Sequence, residues 1–369
     1  MCNQHLEKDL RKDLETDLEK NLGTDWVKEN LDNKEPENKL RHHLQNLLEE
    51  NQIRGADYCI CVEHTVVAKN KLGVVPELTE LQSVTKMFTA VAILQLREKC
   101  GLRLTDCVSE YLPEFAEEPF SDITILHLLT HTSGLVALQD AFPERALDWE
   151  ADVDKSSVKD SWIPAILKKG LFFAPGSRWE YSKAGFCVLG EIIRRITGRK
   201  AEDYIMENIV LPCDMKKSRW MDAADSVWDT VPQTAAGLAA PMYELAQFGS
   251  MLAQGGIYKK RRVLNEESVL LLEKNQLPPG MKDFCWNHGG KYVAYGAGCP
   301  VYVPGYEPQW NMGEGTIYHE GSGACMLLVN RTKRLAAAWS TPFCREDVWC
   351  DEAVKGTAGV IWSCNKAVW

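Results

Sequence analysis

What the chain lacks narrows its class before anything else. Nowhere do about 18 uninterrupted apolar residues run together, so no helix is expected to cross a bilayer. The opening MCNQHLEKDLRKDLETDLEK is charged and holds no apolar segment of the kind a secretory signal needs. Basic residues are in the minority, 42 Lys and Arg against 52 Asp and Glu, which leaves a formal net charge of -10 and a pI near 5.4. Nucleic acid and anionic membranes select clustered cations, so neither is expected as a partner. Among the 13 cysteines no Cys-x-x-Cys occurs: Cys59-x-Cys61 is isolated, and Cys344 and Cys350 are too widely spaced for a zinc knuckle. An odd number of irregularly spaced cysteines without a signal points to free thiols and a cytoplasmic location. His127 and His131 stand four apart, but no third ligand is near, so capping or packing is expected of them rather than a metal.

What is present is an ordinary globular make-up. The chain has 369 residues, 45% hydrophobic and 25% charged, enough for one large domain or two of average size. Leu6, Leu10, Leu14, Leu18 and Leu22 form a narrow apolar stripe among dense charge, which reads as a helical or disordered extension over 1–38, with self-association as its sharper use. The globular domain is expected over 39–369. LRHHLQNLLEENQI reads as a helix, and ADYCICVEHTVVAK as two short strands turning near Glu63 and His64. GACMLLVN, the turn RTK and RLAAAWST read as a second hairpin, and REDVWCDEAVKGTAGVIW as a closing helix. Helical runs separated by Pro and Gly fill about 83 to 255. An α+β fold follows, in which an antiparallel sheet built from both chain ends carries a large helical insertion.

Ser83 and Lys86 in ELQSVTKMFTAVAIL raise the question of chemistry, although Ser-x-x-Lys recurs at Ser156 to Lys159 and at Ser363 to Lys366. The run after Ser83 is apolar on almost every face and stops at Gly101, a good C-cap, so this helix is expected to be buried. Ser83 would stand at its N-terminus, where unpaired N–H groups favour developing negative charge, with Lys86 on the same face. Desolvation pushes such a lysine toward its neutral, basic form, which can activate a serine hydroxyl. The other two matches lie in a polar loop and a frayed tail and read as accidental.

Four further blocks follow in order: ITILHLLTHTSGL (123–135), FAPGSRWEYSKAGFCVLGEIIRRITG (173–198), AAGLAAPMYELAQFGSMLAQGG (235–256) and YHEGSGACMLLVN (318–330). With the Ser83 segment they resemble the serine hydrolase family of class C β-lactamases, penicillin-binding proteins and related esterases and D-aminopeptidases, over nearly the whole chain from about residue 39. The resemblance implies a β-lactamase/transpeptidase-like fold and no cofactor. It implies that Ser83 attacks an acyl carbonyl, that Lys86 helps remove its proton, and that Tyr181 passes the proton to the leaving group. A tyrosine can do this only where cations stabilise its phenolate, and Lys86 is the expected neighbour. His319 and Gly321 match the third motif, and the N–H of Ser322 would join that of Ser83 in an oxyanion hole. Gln139 lies where some members contact a substrate amide. HTSG reads as a helix stop with turn chemistry.

Two departures bear on substrate. The second motif is Tyr181-Ser182-Lys183 where the family usually has Tyr-x-Asn, and the third has Glu320 where a Thr or Ser often binds a substrate carboxylate. A carboxylate at Glu320 would repel another, which counts against a β-lactamase or a carboxypeptidase acting on D-Ala-D-Ala peptides. Their opposite charges suggest that Lys183 and Glu320 pair across the cleft. The expected activity is that of an esterase or amidase on small-molecule substrates with small or D-configured acyl groups. The alternatives are a β-lactamase or carboxypeptidase, and a binding or sensing protein that keeps the fold without turnover.

Overall fold

The computed structural model describes residues 35–136, 162–221, 231–283, 285, 290–305, 310–345 and 349–364. Helix α1 spans Glu35–Glu49 and buries Pro36, Leu40, Leu44 and Leu47, a spacing that keeps them on one face. It begins ahead of residue 39, because proline is tolerated in a first turn whose N–H groups have no helical partners. Glu35 and Glu37 in that turn meet the positive end of the helix dipole. The leucine stripe from Leu6 to Leu22, to which self-association of the 1–38 extension is assigned, lies outside the described residues.

Strands β1 (Gly55–Val62) and β2 (Thr65–Gly73) form the first hairpin. Glu63 and His64 turn it with φ of 50° and 70°, the two positive values that a tight hairpin loop needs to match strand twist. Late in the chain come β3 (Thr316–Gly321), β4 (Cys325–Asn330) and β5 (Leu335–Ser340). All pairings are antiparallel, and the order β3-β4-β5-β1-β2 places strands from the two chain ends side by side, with Asp57 opposite Ser340 and Val62 opposite Leu335.

This sheet is covered on both faces, so alternate residues of one strand enter two different cores. Cys59, Cys61, Leu327, Val329, Ala336 and Ala338 face the larger core, shared with the helical lobe. Tyr58, Ile60, Met326, Leu328, Ala337 and Trp339 face the smaller one, which α1 closes together with the last helix. The continuous apolar runs of β4 and β5 follow from this double burial.

The lobe between the hairpins holds α2 (Thr85–Cys100), α3 (Ile125–Leu129), α4 (Lys183–Thr197) and α5 (Met242–Ala253). Helix α2 buries every residue from Thr85 to Leu96 and ends at Gly101, whose φ of 77° is the left-handed cap. Helix α5 lies flat on the sheet: a Cβ at Gly249 would sit 2.8 Å from Leu327 Cδ1 and 3.0 Å from Ala336 Cβ, so only glycine permits the approach. The closing helical segment starts at Glu352, later than expected, with one wide turn before α6 (Thr357–Cys364). Ser363, of the third Ser-x-x-Lys match, accepts a hydrogen bond from Lys39 Nζ at 2.9 Å and so ties α6 to α1. The described cysteines are free thiols, and none of the described helices is long and apolar enough to cross a membrane.

Leu44 is fully buried in the smaller core. Leu44→Ala should lower unfolding free energy by about 2–5 kcal/mol, read as a drop in the urea midpoint with an unchanged slope. A cost under about 1 kcal/mol would show that α1 is not packed as described.

Candidate active site

Ser83 sits in a single 3-10 turn, Gln82–Val84, that runs straight into α2. Lys86 comes one turn later and is completely buried. Its Nζ donates to Ser83 Oγ at 3.3 Å and to the Ala235 carbonyl at 2.9 Å. It also lies 4.9 Å from the centroid of the Tyr181 ring and 5.6 Å from that of Phe186. Burial, and after it the charge of Lys183, hold the Lys86 ammonium well below the usual lysine range. The neutral amine is the form these surroundings favour, and a neutral amine 3.3 Å from a hydroxyl can accept its proton.

Tyr181 is buried and faces Ser83. Burial pushes its phenol up; the Ser83 hydroxyl opposes this, and the Glu320 carboxylate and Cys285 add to it. The phenol is therefore protonated at neutral pH. Lys86 does not draw it toward the phenolate: burial, joined by Glu320 and Cys285, outweighs the opposing Ser83 hydroxyl. The backbone N–H of Tyr181 points at Cys285 Sγ, 3.4 Å away.

Strand β3 brings the third motif to the same place. His319 is buried, and burial, then Lys86, drive its imidazole down to about 3, so it is neutral. Gly321 is needed for a reason beyond access to substrate: a Cβ there would lie 2.4 Å from the Leu81 carbonyl oxygen, in the segment that leads into Ser83. The end of β3 and the nucleophile turn are thus backbone against backbone, and Ser322 follows on the exposed side. Gln139 lies outside the described residues, as do Ser156 and Lys159.

The two departures do not meet as expected. Glu320 Oε1 is 3.9 Å from Lys355 Nζ, which also reaches Asp351 at 3.5 Å, so its cation comes from the closing helical segment. Lys183 begins α4, behind the N-cap Ser182, and its charge acts on Lys86 and Cys187. The reason is positional, since the first turn of α4 looks toward α2 whereas Glu320 looks toward the C-terminal segment.

His127 and His131 have separate jobs. His127 caps α3: its N–H donates to Thr124 Oγ1 and its Nδ1 accepts from the Thr124 N–H, both at 3.2 Å. His131 lies past the end of that helix with φ of 58° and enters the site, its ring 4.3 Å from that of Tyr181. Among the described residues no group of three or more His, Cys, Asp or Glu is placed to hold a metal. Sequence reasoning assigned His131 to turn chemistry and missed Tyr295, whose hydroxyl lies 3.1 Å from His131 Nε2 and 3.5 Å from His319 Nε2. The only cue to Tyr295 was an aromatic before a Gly-rich turn, YGAG, which many loops share.

Comparison with known proteins gives the family. Residues 40–342 match the family model described as Beta-lactamase. Penicillin-binding protein 4* of Bacillus subtilis is 37% identical over 144 residues, 38% of this chain and 30% of that protein. Esterase EstB of Burkholderia gladioli is 34% identical over 156 residues, 40% of this chain and 39% of that protein. The matched stretches thus span well under half the length of these relatives. Among solved structures, EstCE1, described as a hydrolase with promiscuous acyltransferase activity, superposes with a TM-score of 0.72 at 16% identity, covering 89% of this chain and 98% of its own. With the family model spanning most of the sequence and the same fold recurring, the chain belongs to the beta-lactamase family.

Proposed function

We propose that the protein is a serine hydrolase that forms an acyl-enzyme on Ser83, acting as an esterase or amidase on small or D-configured acyl substrates. The observation that carries this reading is the buried, neutral-leaning Lys86 amine 3.3 Å from Ser83 Oγ. Ser83 Oγ attacks the carbonyl carbon while its proton passes to Lys86 Nζ. The N–H groups of Ser83 and Ser322 stabilise the oxygen that becomes negative. Tyr181, protonated at rest, gives its proton to the leaving group as the tetrahedral intermediate collapses, and is restored from Lys86. The names of two relatives, an esterase and a penicillin-binding protein, fit acyl chemistry of this kind.

Glu320 supports an ester or neutral amide over a β-lactam or a peptide with a free D-alanine. Those substrates carry a carboxylate, and Glu320 stands where the family often places a hydroxyl to receive it. Its carboxylate already acts on Tyr181 at the centre of the cleft, raising the phenol. A second anion there would meet repulsion that Lys355, shared with Asp351, offsets only in part.

Three outcomes follow. A fluorophosphonate should add to Ser83, seen by intact mass and absent in Ser83→Ala, at a rate that rises with pH through a Lys86 midpoint well below 10.5. A labelling rate that stays flat until about pH 10 would remove Lys86 as the base.

Lys86 also sets a sign for stability. Between its folded pKa and the unfolded value of 10.5 the unfolded chain binds more protons, so wild-type stability rises with pH across that window. Lys86→Met abolishes labelling and removes this dependence. Its stability relative to wild type should therefore be greatest near neutral pH and fall toward about pH 10, while the lost hydrogen bond to Ala235 subtracts about 1 kcal/mol throughout. Denaturant unfolding of both proteins at two pH values measures the slope, and a difference independent of pH would contradict the neutral amine.

For substrate choice, Glu320→Thr should raise kcat/KM for a carboxylate-bearing chromogenic cephalosporin by about tenfold relative to a neutral nitrophenyl ester. An unchanged ratio would mean that Glu320 does not face the substrate.

A further inference from the structure

Four hydrogen bonds join the blocks of the site into one chain. The Ser182 N–H donates to His131 Nδ1 at 3.1 Å. His131 Nε2 and the Tyr295 hydroxyl are 3.1 Å apart, and the same hydroxyl is 3.5 Å from His319 Nε2. His319 Nδ1 lies 2.8 Å from the Glu320 carbonyl oxygen. Both ends are backbone groups, one only a donor and the other only an acceptor.

Those ends order every proton between them. A neutral imidazole has one N–H and one bare nitrogen. His131 Nδ1 accepts from Ser182, so its hydrogen is on Nε2 and is donated to Tyr295 Oη. The hydroxyl hydrogen of Tyr295 must then point to His319 Nε2, which leaves the His319 hydrogen on Nδ1, aimed at the Glu320 carbonyl. The reverse order would set two donors against each other at Ser182. Both imidazoles are buried, and burial disfavours protonating either one.

The chain also spans the cleft. His131 follows α3, Ser182 caps α4, and His319 is on β3, while Tyr295 is held at its own backbone by Asn275 Oδ1 at 3.1 Å and by the Gln276 N–H at 2.8 Å. The Tyr181 ring packs on His131 at 4.3 Å, inclined by 33°, with His319 on another side at 6.3 Å. Fixing the two imidazoles therefore fixes the plane on which Tyr181 rests.

We propose that Tyr295 is a positioning residue of the site: it ties His131 and His319 into one proton-ordered chain that holds Tyr181 in place and leaves Lys86 as the proton acceptor for Ser83. Two histidines flank Tyr181, the neighbour of Ser83, a setting in which one of them would ordinarily be read as a base. Neither is free for that role, because the one bare nitrogen of each ring is already filled, by the Ser182 N–H at His131 and by the Tyr295 hydroxyl at His319. The last clause rests on the hydrolase reading, whereas the order of protons does not. The ionisable groups facing the chain are Lys86 on α2, Tyr181, Cys299 and Tyr318 on β3, with Cys285 and Glu320 acting on Tyr181.

Long-range 1H–15N correlation spectra of the full chain test the order directly, with His131→Gln and His319→Gln supplying the assignments. His131 should show the hydrogen on Nε2 and His319 on Nδ1, and neither ring should titrate between about pH 5 and 8. A His319 with its hydrogen on Nε2, or a ring that titrates in that range, overturns the proposal. Tyr295→Phe keeps the ring and deletes both hydroxyl bonds. Fluorophosphonate labelling of Ser83 should slow by about tenfold and the His319 Nε2 signal should move toward that of an unbonded imidazole nitrogen, with both rings still neutral because burial rather than the hydroxyl keeps them so. Labelling as fast as wild type, or an unmoved His319 Nε2 signal, overturns the positioning role. Absence of labelling in the wild type, with the tautomers as expected, would sink the hydrolase reading and leave the proton order standing.

Discussion

Everything in this cleft depends on an amine buried with no carboxylate of the described residues beside it. Lys86 is wholly excluded from water, and its hydrogen-bond partners are the Ser83 hydroxyl and the Ala235 carbonyl. Charging it there costs several kcal/mol of lost hydration, so these surroundings favour the neutral amine. The double-layered architecture makes that burial possible. Helix α2 is buried on every side for three turns because it runs through the larger core, and any residue placed in its first turn inherits the same dry surroundings. Burial of the helix and basicity of the lysine are thus one fact seen at two scales.

The nucleophile turn is held from the side by β3. Gly321 lies so close to the Leu81 carbonyl that no other side chain fits, and Cys325 Sγ touches the same oxygen at 3.6 Å. Ser83 is therefore positioned by two elements from opposite ends of the chain. This is the purpose of building the sheet late: the strand that completes the site cannot arrive before the last quarter of the sequence does. Stability of the site and closure of the sheet are coupled, and α5, seated on Gly249, presses the lobe onto β4 and β5 from the other side.

Much of this was legible in the sequence because it is written in local chemistry. The strand alternation, the positive-φ turn at Glu63 and His64, the Gly101 cap and the apolar run after Ser83 each follow from the period or turn rules of a few adjacent residues. The order of the motif blocks supplied Tyr181, His319 and Gly321; the structure sets Tyr181 beside Ser83, Gly321 against Leu81 and His319 beside Tyr181. What stayed hidden depends on contacts between distant segments. Tyr295 is an aromatic in a Gly-rich loop until its hydroxyl is seen between two imidazoles. Glu320 reads as the partner of Lys183 until the closing helix delivers Lys355. The start of α1 ahead of residue 39 was obscured by Pro36, which stops a helix in its interior but suits its first turn.

The two departures from the family pattern divide their effect between two groups rather than cancelling each other. Lys183, a cation where the family has an amide, acts on Lys86 and adds to the burial that lowers it. Glu320, an anion where the family has a hydroxyl, acts on Tyr181 and adds to the burial that raises it. Opposite charges at two corners of one cleft thus drive the pKa values of its amine and its phenol apart. Separation of that kind is how a site assigns one group to accept protons and another to donate them. Had Lys183 and Glu320 paired, each would have screened the other, and Lys86 and Tyr181 would have been left closer to a shared proton than to a division of roles.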